Sequence, residues 1–439
     1  MRKILMISYY FPPIMDVGSL RALGFAKHLP EHGWQPYVLS VQNPDTSLCR
    51  VGSEQPPQEI KTFYCRSWFY LNKISWKANG VLRIVLKIFG VNLKNNVVSD
   101  VLCLPDAFVG WTFPAFLKGR SIIGKHNIDV IYVSCKPFSS ALTGVLLKNA
   151  TNKPLILDFR DPASFPDSLF NNGTAGRFNR SVTKKIEKFV FESTDRLITT
   201  TDSVKEVYLK KYPFLIENVH RIYNGYFLPP QKNDKTIKQN KFTIGYAGNF
   251  YQALVSYEQF FKAMRIIVDE KLIGPEHFEF LYIGQLRGQN NWLRKAEEDF
   301  QLHGHISAIG PVPREEVPRI LSQCALQLLR IVPPMISTKL FEALRDGIPM
   351  LAVIRSSEVE KLIKTYSPGS YVVSSGKVGD IVDAIIDSYK RWKNGKLVTT
   401  QNDEYLKNFS KKILTSEFVN ILNTAVTTER VKNDNSINL

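Results

Sequence analysis

An α/β fold is what the sequence predicts: two doubly wound, Rossmann-like domains facing a cleft. Three observations lead there. The chain has 439 residues, enough for two or three domains with full cores. Short apolar runs of strand length alternate with helical patterns through residues 1–227 and again through 242–409, the order expected of parallel sheets covered by helices. Between the two runs, residues 228–241 are rich in Pro, Lys, Gln and Asn with little to bury, which marks a linker. Residues 410–439 add a last helix and a polar tail.

Charge sets the next constraint. The 57 Lys and Arg against 40 Asp and Glu give a net charge of +17, which calls for a polyanionic partner: nucleic acid, an acidic membrane surface or phosphorylated substrates. No zinc-finger spacing or RNA-recognition signature accompanies it, so nucleic acid is not expected. Five scattered cysteines without a Cys-x-x-Cys argue against a disulfide framework or zinc site and for a reducing compartment. The apolar run Ile4 to Ile7 after Met1-Arg2-Lys3 is too short for a signal peptide and reads as a first strand. No apolar run reaches the ~18 residues of a membrane span. A cytoplasmic protein is therefore expected.

Ile4 to Ser8, then a helix from about Ser19 to Leu29 stopped by Gly33, then Tyr37 to Val41 make a βαβ unit. Ligands of such sheets sit beyond the strand ends. This places the loop Tyr9 to Gly18 well for binding, and Gly18 at the helix start permits close backbone approach. Later strands are expected at Asp129 to Ser134, Pro154 to Phe159, Arg196 to Thr200 and Val219 to Tyr223, with helices opening at Pro137, Arg177 and Ser203, the last capped by Asp202. The fourth strand ends in Asp158-Phe159-Arg160-Asp161-Pro162. Asp161 can orient a hydroxyl or take its proton, and Arg160 can meet phosphate; a structural Asp–Arg pair closing the loop is the competing reading. Pro105-Asp106 and Trp111 form either a turn with a packed tryptophan or a binding edge. No Gly-x-Gly-x-x-Gly follows the first strand, which argues against a dinucleotide dehydrogenase.

In the second half, strands are expected at Phe242 to Ala247, Phe278 to Ile283, Ile306 to Ile309, Leu326 to Leu329, Met350 to Ile354 and Tyr371 to Val373. Helices fall at Ser256 to Glu270, near Trp292, at 313–323, at Glu358 to Thr365, Val378 to Trp392 and Ser410 to Thr427. The chemistry concentrates in Ser337 to Pro349. Leu340, Phe341 and Leu344 share one helix face. Ser337 or Thr338 can cap its start, where free N–H groups favour an anion, and Gly347 followed by Pro349 stops it. Lys339 and Glu342 in the first turns can hold a phosphate and sugar hydroxyls. Alternatively, at i and i+3, they simply pair with each other.

This helix resembles the donor-site helix of family-4-like, two-domain (GT-B) glycosyltransferases, in which a small residue, Lys, an aromatic and Glu precede Gly-x-Pro and a strand. The Tyr-x-Pro-Pro loop with Gly18 and Arg21, the Pro-Asp and Trp pair, and Asp158 to Pro162 are similar to further motifs of that family. The resemblance spans nearly the whole chain. It implies that Glu342 holds the ribose of a nucleotide-sugar, that Thr338 and Lys339 approach its diphosphate, and that Arg21, Asp106 and Trp111 lie on the acceptor side. It also implies that the last helix crosses back onto the first domain. Three departures stand out. The family's second Glu, eight positions before the first, is Pro334; its loop Arg and Lys are Asn249 and Leu254; its usual His is Arg160. Donor contacts are therefore assigned to Lys339, Arg330, Arg287 and the helix N-terminus, beside Gly18, Gly248, Asn249 and Gly284.

Residues Trp68 to Lys94 combine aromatic and aliphatic residues with Lys73, Lys77, Arg83 and Lys87 and contain no acid. Such a segment, with Trp68 and Trp76, can lie in a membrane interface, or pack on the sheet with its lysines in water. The sequence thus predicts a metal-independent, cofactor-free, retaining glycosyltransferase acting on a lipid-linked glycan acceptor in cell-surface polysaccharide assembly, peripheral on the inner face of a bacterial membrane. The competing classes are a non-catalytic scaffold of the same fold and a nucleotide-sugar epimerase.

Overall fold

The structure is a computed structural model that describes residues 1–14, 17–49, 51–52, 55–88, 97–162, 164, 174–230, 241–248, 258–285, 292–331 and 333–437. It divides into two compact units, Met1–Tyr223 with Lys411–Leu439, and Asn224–Ser410. Each is a parallel-sheet, Rossmann-like α/β domain, the architecture that the alternating pattern predicts.

The first unit runs β1 (Arg2–Ser8), α1 (Val17–His28), β2 (Trp34–Val41), β3 (Lys61–Cys65), α2 (Leu71–Ile88), α3 (Val97–Leu102), α4 (Thr112–His126), β4 (Val130–Ser134), α5 (Ser139–Thr151), β5 (Leu155–Phe159), α6 (Thr174–Glu192), β6 (Arg196–Thr199), α7 (Asp202–Lys211) and β7 (Val219–Arg221). Its strands lie in the order β3-β2-β1-β4-β5-β6-β7. β1 pairs in parallel with both β2 and β4, so the winding reverses beside β1 and opens a switch point past Ser8 and Ser134, where such sheets bind ligands. Side chains alternate between two buried faces. Leu5, Ile7, Leu39, Ile131 and Val133 enter one core, while Ile4, Met6, Val38, Val130 and Tyr132 enter the other. Burial on both sides explains why these strands read as unbroken apolar runs. The C-terminal helix Lys411–Ile437 closes the second face, with Phe418 stacked on Phe25 at 4.7 Å.

Two local expectations are corrected. β3 was not expected, because its edge position leaves Lys61 exposed and the rest only half-buried, so the apolar signal is weak. Thr201, not Asp202, caps α7: its hydroxyl accepts from Val204 N at 2.9 Å.

The second unit runs β8 (Phe242–Ala247), α8 (Glu258–Asp269), β9 (Phe278–Ile283), α9 (Trp292–Asp299), β10 (Ile306–Ile309), α10 (Val317–Leu321), β11 (Leu326–Leu329), α11 (Thr338–Asp346), β12 (Met350–Val353), α12 (Ser357–Tyr366), β13 (Tyr371–Val373), α13 (Val378–Lys393) and α14 (Asp403–Asn408). The strand order is β10-β9-β8-β11-β12-β13. β8 pairs in parallel with β9 and β11, which sets the switch point past Ala247 and Leu329. α10 starts later than expected, with Pro318 in its first turn, where a missing N–H costs nothing.

Candidate functional site

The second unit gathers its candidate residues at the switch point. β8 delivers Gly248, β11 delivers Arg330, and α11 begins just after. Ser337 takes the cap position with extended backbone, its hydroxyl accepting from Lys339 N at 3.3 Å, so Thr338 is the first helical residue. Gly347 ends the helix at φ 68°, where an added Cβ would stand 2.3 Å from Thr400 backbone. Leu340, Phe341 and Leu344 are buried, as their spacing requires. Arg345 is fully buried and grips Asp346 through two bonds of 2.7 and 2.6 Å. Tyr405 donates to Phe341 O at 2.7 Å. The helix is thus held rigidly from its far side, and its first turn stays at the sheet edge.

Lys339 and Glu342 do not pair with each other. The Lys339 ammonium donates to the Tyr246 hydroxyl at 2.5 Å and sits 4.0 Å from the centroid of that ring. Glu342 accepts from Arg314 instead. Burial pushes the Lys339 ammonium down to about 7, only partly offset by the Glu342 charge. Burial also lowers Arg330 to about 10, against an upward pull from Tyr246. Gly248, at φ 97°, needs a residue without Cβ, and such an atom would stand 3.3 Å from Lys339 Cε. Gly284 follows β9, and its N–H donates to Ile309 O at 3.1 Å. Two half-buried cations and a helix N-terminus therefore converge where a parallel sheet binds ligands, an arrangement that favours a diphosphate. Asn249 and Arg287 lie outside the described residues. Tyr246 and Arg314 were missed by sequence reasoning; both lie far from α11 in the chain.

The first unit sorts its charges differently. Arg160, flanked by two acids in sequence, pairs with neither. Asp158 is fully buried and accepts from Arg21 Nε at 2.7 Å and from Tyr132 at 2.6 Å. Asp161 accepts from Lys136 Nζ at 3.0 Å. Arg160 is itself 9% exposed, and among the described residues its Nε and Nη2 have no hydrogen-bond partner. Its guanidinium faces Gly18, where an added Cβ would stand 2.8 Å from Nη2. Buried unsatisfied donors of this kind call for an occupant. Burial raises the Asp161 carboxyl, but the Lys136 and Arg160 charges outweigh it and hold the group below its ordinary value. An acid so held is a weak proton acceptor, which favours the orienting role among the two expected for Asp161. Lys136 was missed, although it directly follows β4.

The acceptor-side trio is corrected as well. Arg21 is 1% exposed, committed to Asp158 and, through Nη1, to Tyr223 O at 3.0 Å. Asp106 accepts from Ser139 N at 2.8 Å and Phe108 N at 2.9 Å, holding the start of α5. Trp111 is buried with its ring edge-on to Tyr9 at 5.3 Å. These are framework contacts: a buried turn needs its N–H groups satisfied, and a tryptophan supplies core. The membrane set, Trp68, Lys73, Trp76, Lys77, Arg83 and Lys87, is exposed on or beside α2. Among the described residues no group of three or more His, Cys, Asp or Glu could hold a metal ion, and no helix is long and apolar enough to cross a membrane.

Comparison with known proteins agrees with this fold. The family model Glycosyltransferase Family 4 matches residues 20–227, and Glycosyl transferases group 1 matches residues 241–391. No curated protein matches the sequence. Sucrose-phosphate synthase from Thermosynechococcus elongatus superposes with a TM-score of 0.69 at 13% identity over 98% of this chain and 100% of that one. HepE from Anabaena in complex with UDP superposes with a TM-score of 0.64 at 12% identity over 97% and 100%. A glycosyltransferase from Rickettsia africae ESF-5 gives 0.62 at 13% identity over 97% and 98%. Identity so low speaks for the fold alone; the two family models carry the assignment. The chain belongs to the family-4-like, two-domain (GT-B) glycosyltransferases.

Proposed function

We propose that this protein transfers a sugar, with retention of anomeric configuration, from a nucleotide-diphosphate sugar to a lipid-linked glycan acceptor in cell-surface polysaccharide assembly. The observation that carries the donor half is the second unit's switch point, where Arg330 after β11, Lys339 in the first turn of α11 and Gly248 after β8 come together, an added Cβ at Gly248 standing 3.3 Å from Lys339 Cε. A diphosphate there meets both cations and the helix N-terminus. Glu342 then exchanges Arg314 for ribose hydroxyls, as its place one turn into α11 allows. Solved structures of HepE hold UDP and UDP-glucose, which supports a donor of this class.

The acceptor half rests on Arg160. A lipid-linked glycan carries phosphate, and the buried guanidinium beside Gly18 offers donors of matching geometry. In the transfer, the bond from the sugar's anomeric carbon to the donor phosphate breaks while the acceptor oxygen bonds to that carbon on the same face. The leaving diphosphate takes the acceptor's proton. Such a route asks no side chain to be a strong base, consistent with Arg160 in place of histidine and with an ionised Asp161.

Nuclear magnetic resonance of the glycosylated lipid, made from an anomerically pure donor, tests the reading. The donor's anomeric configuration should persist in the product. An inverted product overturns retention, and no product from any lipid-linked acceptor overturns the acceptor class. Pro334, where the family carries a second Glu, favours a non-catalytic scaffold as the other reading; such a protein would bind no donor or bind it without turnover.

A further inference from the structure

Among the described residues, the two fully buried side chains of α2 are polar, Ser75 and Asn79: Asn79 Nδ2 donates to Ser99 of α3 at 3.0 Å, Ser99 donates to Ser75 at 3.0 Å, and Asn79 Oδ1 accepts from Val98 N at 3.1 Å. Its exposed positions mix apolar residues with lysines. Ile74, Val81, Ile84 and Ile88 are 48%, 63%, 66% and 76% exposed, and their spacings of seven, three and four place them on one stripe. A helix covering a sheet would bury that stripe. This one is anchored by hydrogen bonds and turns the stripe to the outside. The patch continues past the helix start: Trp68 packs on Phe113 of α4 with ring centroids 5.3 Å apart, and Phe69, Phe113 and Leu117 are exposed.

Charge decides what covers it. Lys73, Lys77, Arg83 and Lys87 lie within and beside the stripe, and α2 contains no acid. Lys73 lies 3.7 Å from Asp45. A second copy would oppose cation to cation across a symmetric contact, whereas lipid phosphates lie level with lysines that flank a buried apolar stripe. Trp76, 76% exposed at the edge of the stripe, matches the depth of headgroups. We infer that α2, with Trp68 and the exposed start of α4, is an anionic-membrane docking face lying in the plane of the lipid interface. This surface is independent of the donor reading: it would dock the chain even if no nucleotide-sugar bound.

Vesicle flotation tests it, with phosphatidylcholine alone and phosphatidylcholine mixed with phosphatidylglycerol. The full chain should partition onto the mixed vesicles at least about tenfold more than onto neutral ones, given the attraction of several cations to an anionic surface, and should be released by salt. Val81→Asp/Ile84→Asp and Lys77→Glu/Lys87→Glu should each lose that binding while circular dichroism and the unfolding midpoint stay at wild-type values, since the substituted side chains are exposed. Equal recovery on both vesicle types, or undiminished binding of both double variants, overturns the proposal. Self-association that Val81→Asp/Ile84→Asp abolishes, without vesicle binding by the wild type, also overturns it and makes the face a contact between copies.

Discussion

The two switch points solve the same problem in opposite ways. In the first unit the charges past the strand ends are mostly neutralised in place: Arg21 holds Asp158 and Lys136 holds Asp161, leaving Arg160 over. In the second, Lys339 leans on the Tyr246 phenol, and its neighbour Glu342 is claimed by Arg314. A buried charge with a partner is part of the frame, and removing either member leaves the other stranded. A half-buried cation resting on an aromatic ring keeps a charge for an anion to meet. The difference separates what builds the protein from what it binds.

The largest expected effect breaks the frame. Arg21→Met strands the Asp158 carboxylate and should cost about 3–5 kcal/mol of stability, as for other broken buried pairs, read by chemical denaturation of the first unit. A loss below that of a surface substitution would mean the pair is not structural. Next, Lys339→Ala and Glu342→Ala should each weaken sugar-nucleotide binding by ~1–3 kcal/mol in calorimetry, with little loss of stability. Asp161→Asn should lower turnover by roughly tenfold or more through lost positioning of the acceptor and leave donor affinity unchanged. Unaltered turnover would remove Asp161 from the mechanism.

pH sharpens the contrast. The free Lys339 ammonium titrates at about 7, and a bound diphosphate raises that value. Sugar-nucleotide affinity should therefore be full below pH 7 and fall as pH rises above it, by at most about tenfold per unit for one proton. Lys339→Arg, always charged, should flatten the profile; an equal slope in both proteins would assign the titration elsewhere. The smallest effect runs against function. The folded-state pKa of Lys339 lies below its unfolded value of roughly 10.4, so its burial cost is full below pH 7 and vanishes as pH nears that value. Lys339→Met should raise the unfolding midpoint by a few degrees at pH 6 and leave it unchanged near pH 10.

Helix-end chemistry is local, and it was legible. Ser337, Gly347 and the inward trio Leu340, Phe341 and Leu344 take their places because cap, stop and spacing lie within a few residues of one another. The alternation of both sheets was legible for the same reason. Partner choice was not. Lys339 finds Tyr246 from 93 positions away and Glu342 finds Arg314 from 28, so neither pair leaves a mark in the local pattern. Arg21, Asp106 and Trp111 misled because a polar or aromatic residue near a strand end serves equally well to bind a ligand or to close a loop. Only burial separates the two uses. In α2, composition pointed to a basic, apolar segment, but that Ser75 and Asn79 are its buried side chains depends on Ser99 of another helix.

Calorimetric titration of UDP- and GDP-sugars into the purified protein and into Lys339→Ala tests the central claim most directly. The two cations past β11 and at the start of α11 predict binding of one nucleotide class by the wild type, and a loss of roughly five- to hundredfold in the variant for one charged hydrogen bond. Equal affinity in both proteins, or no binding to a folded wild type, would contradict it.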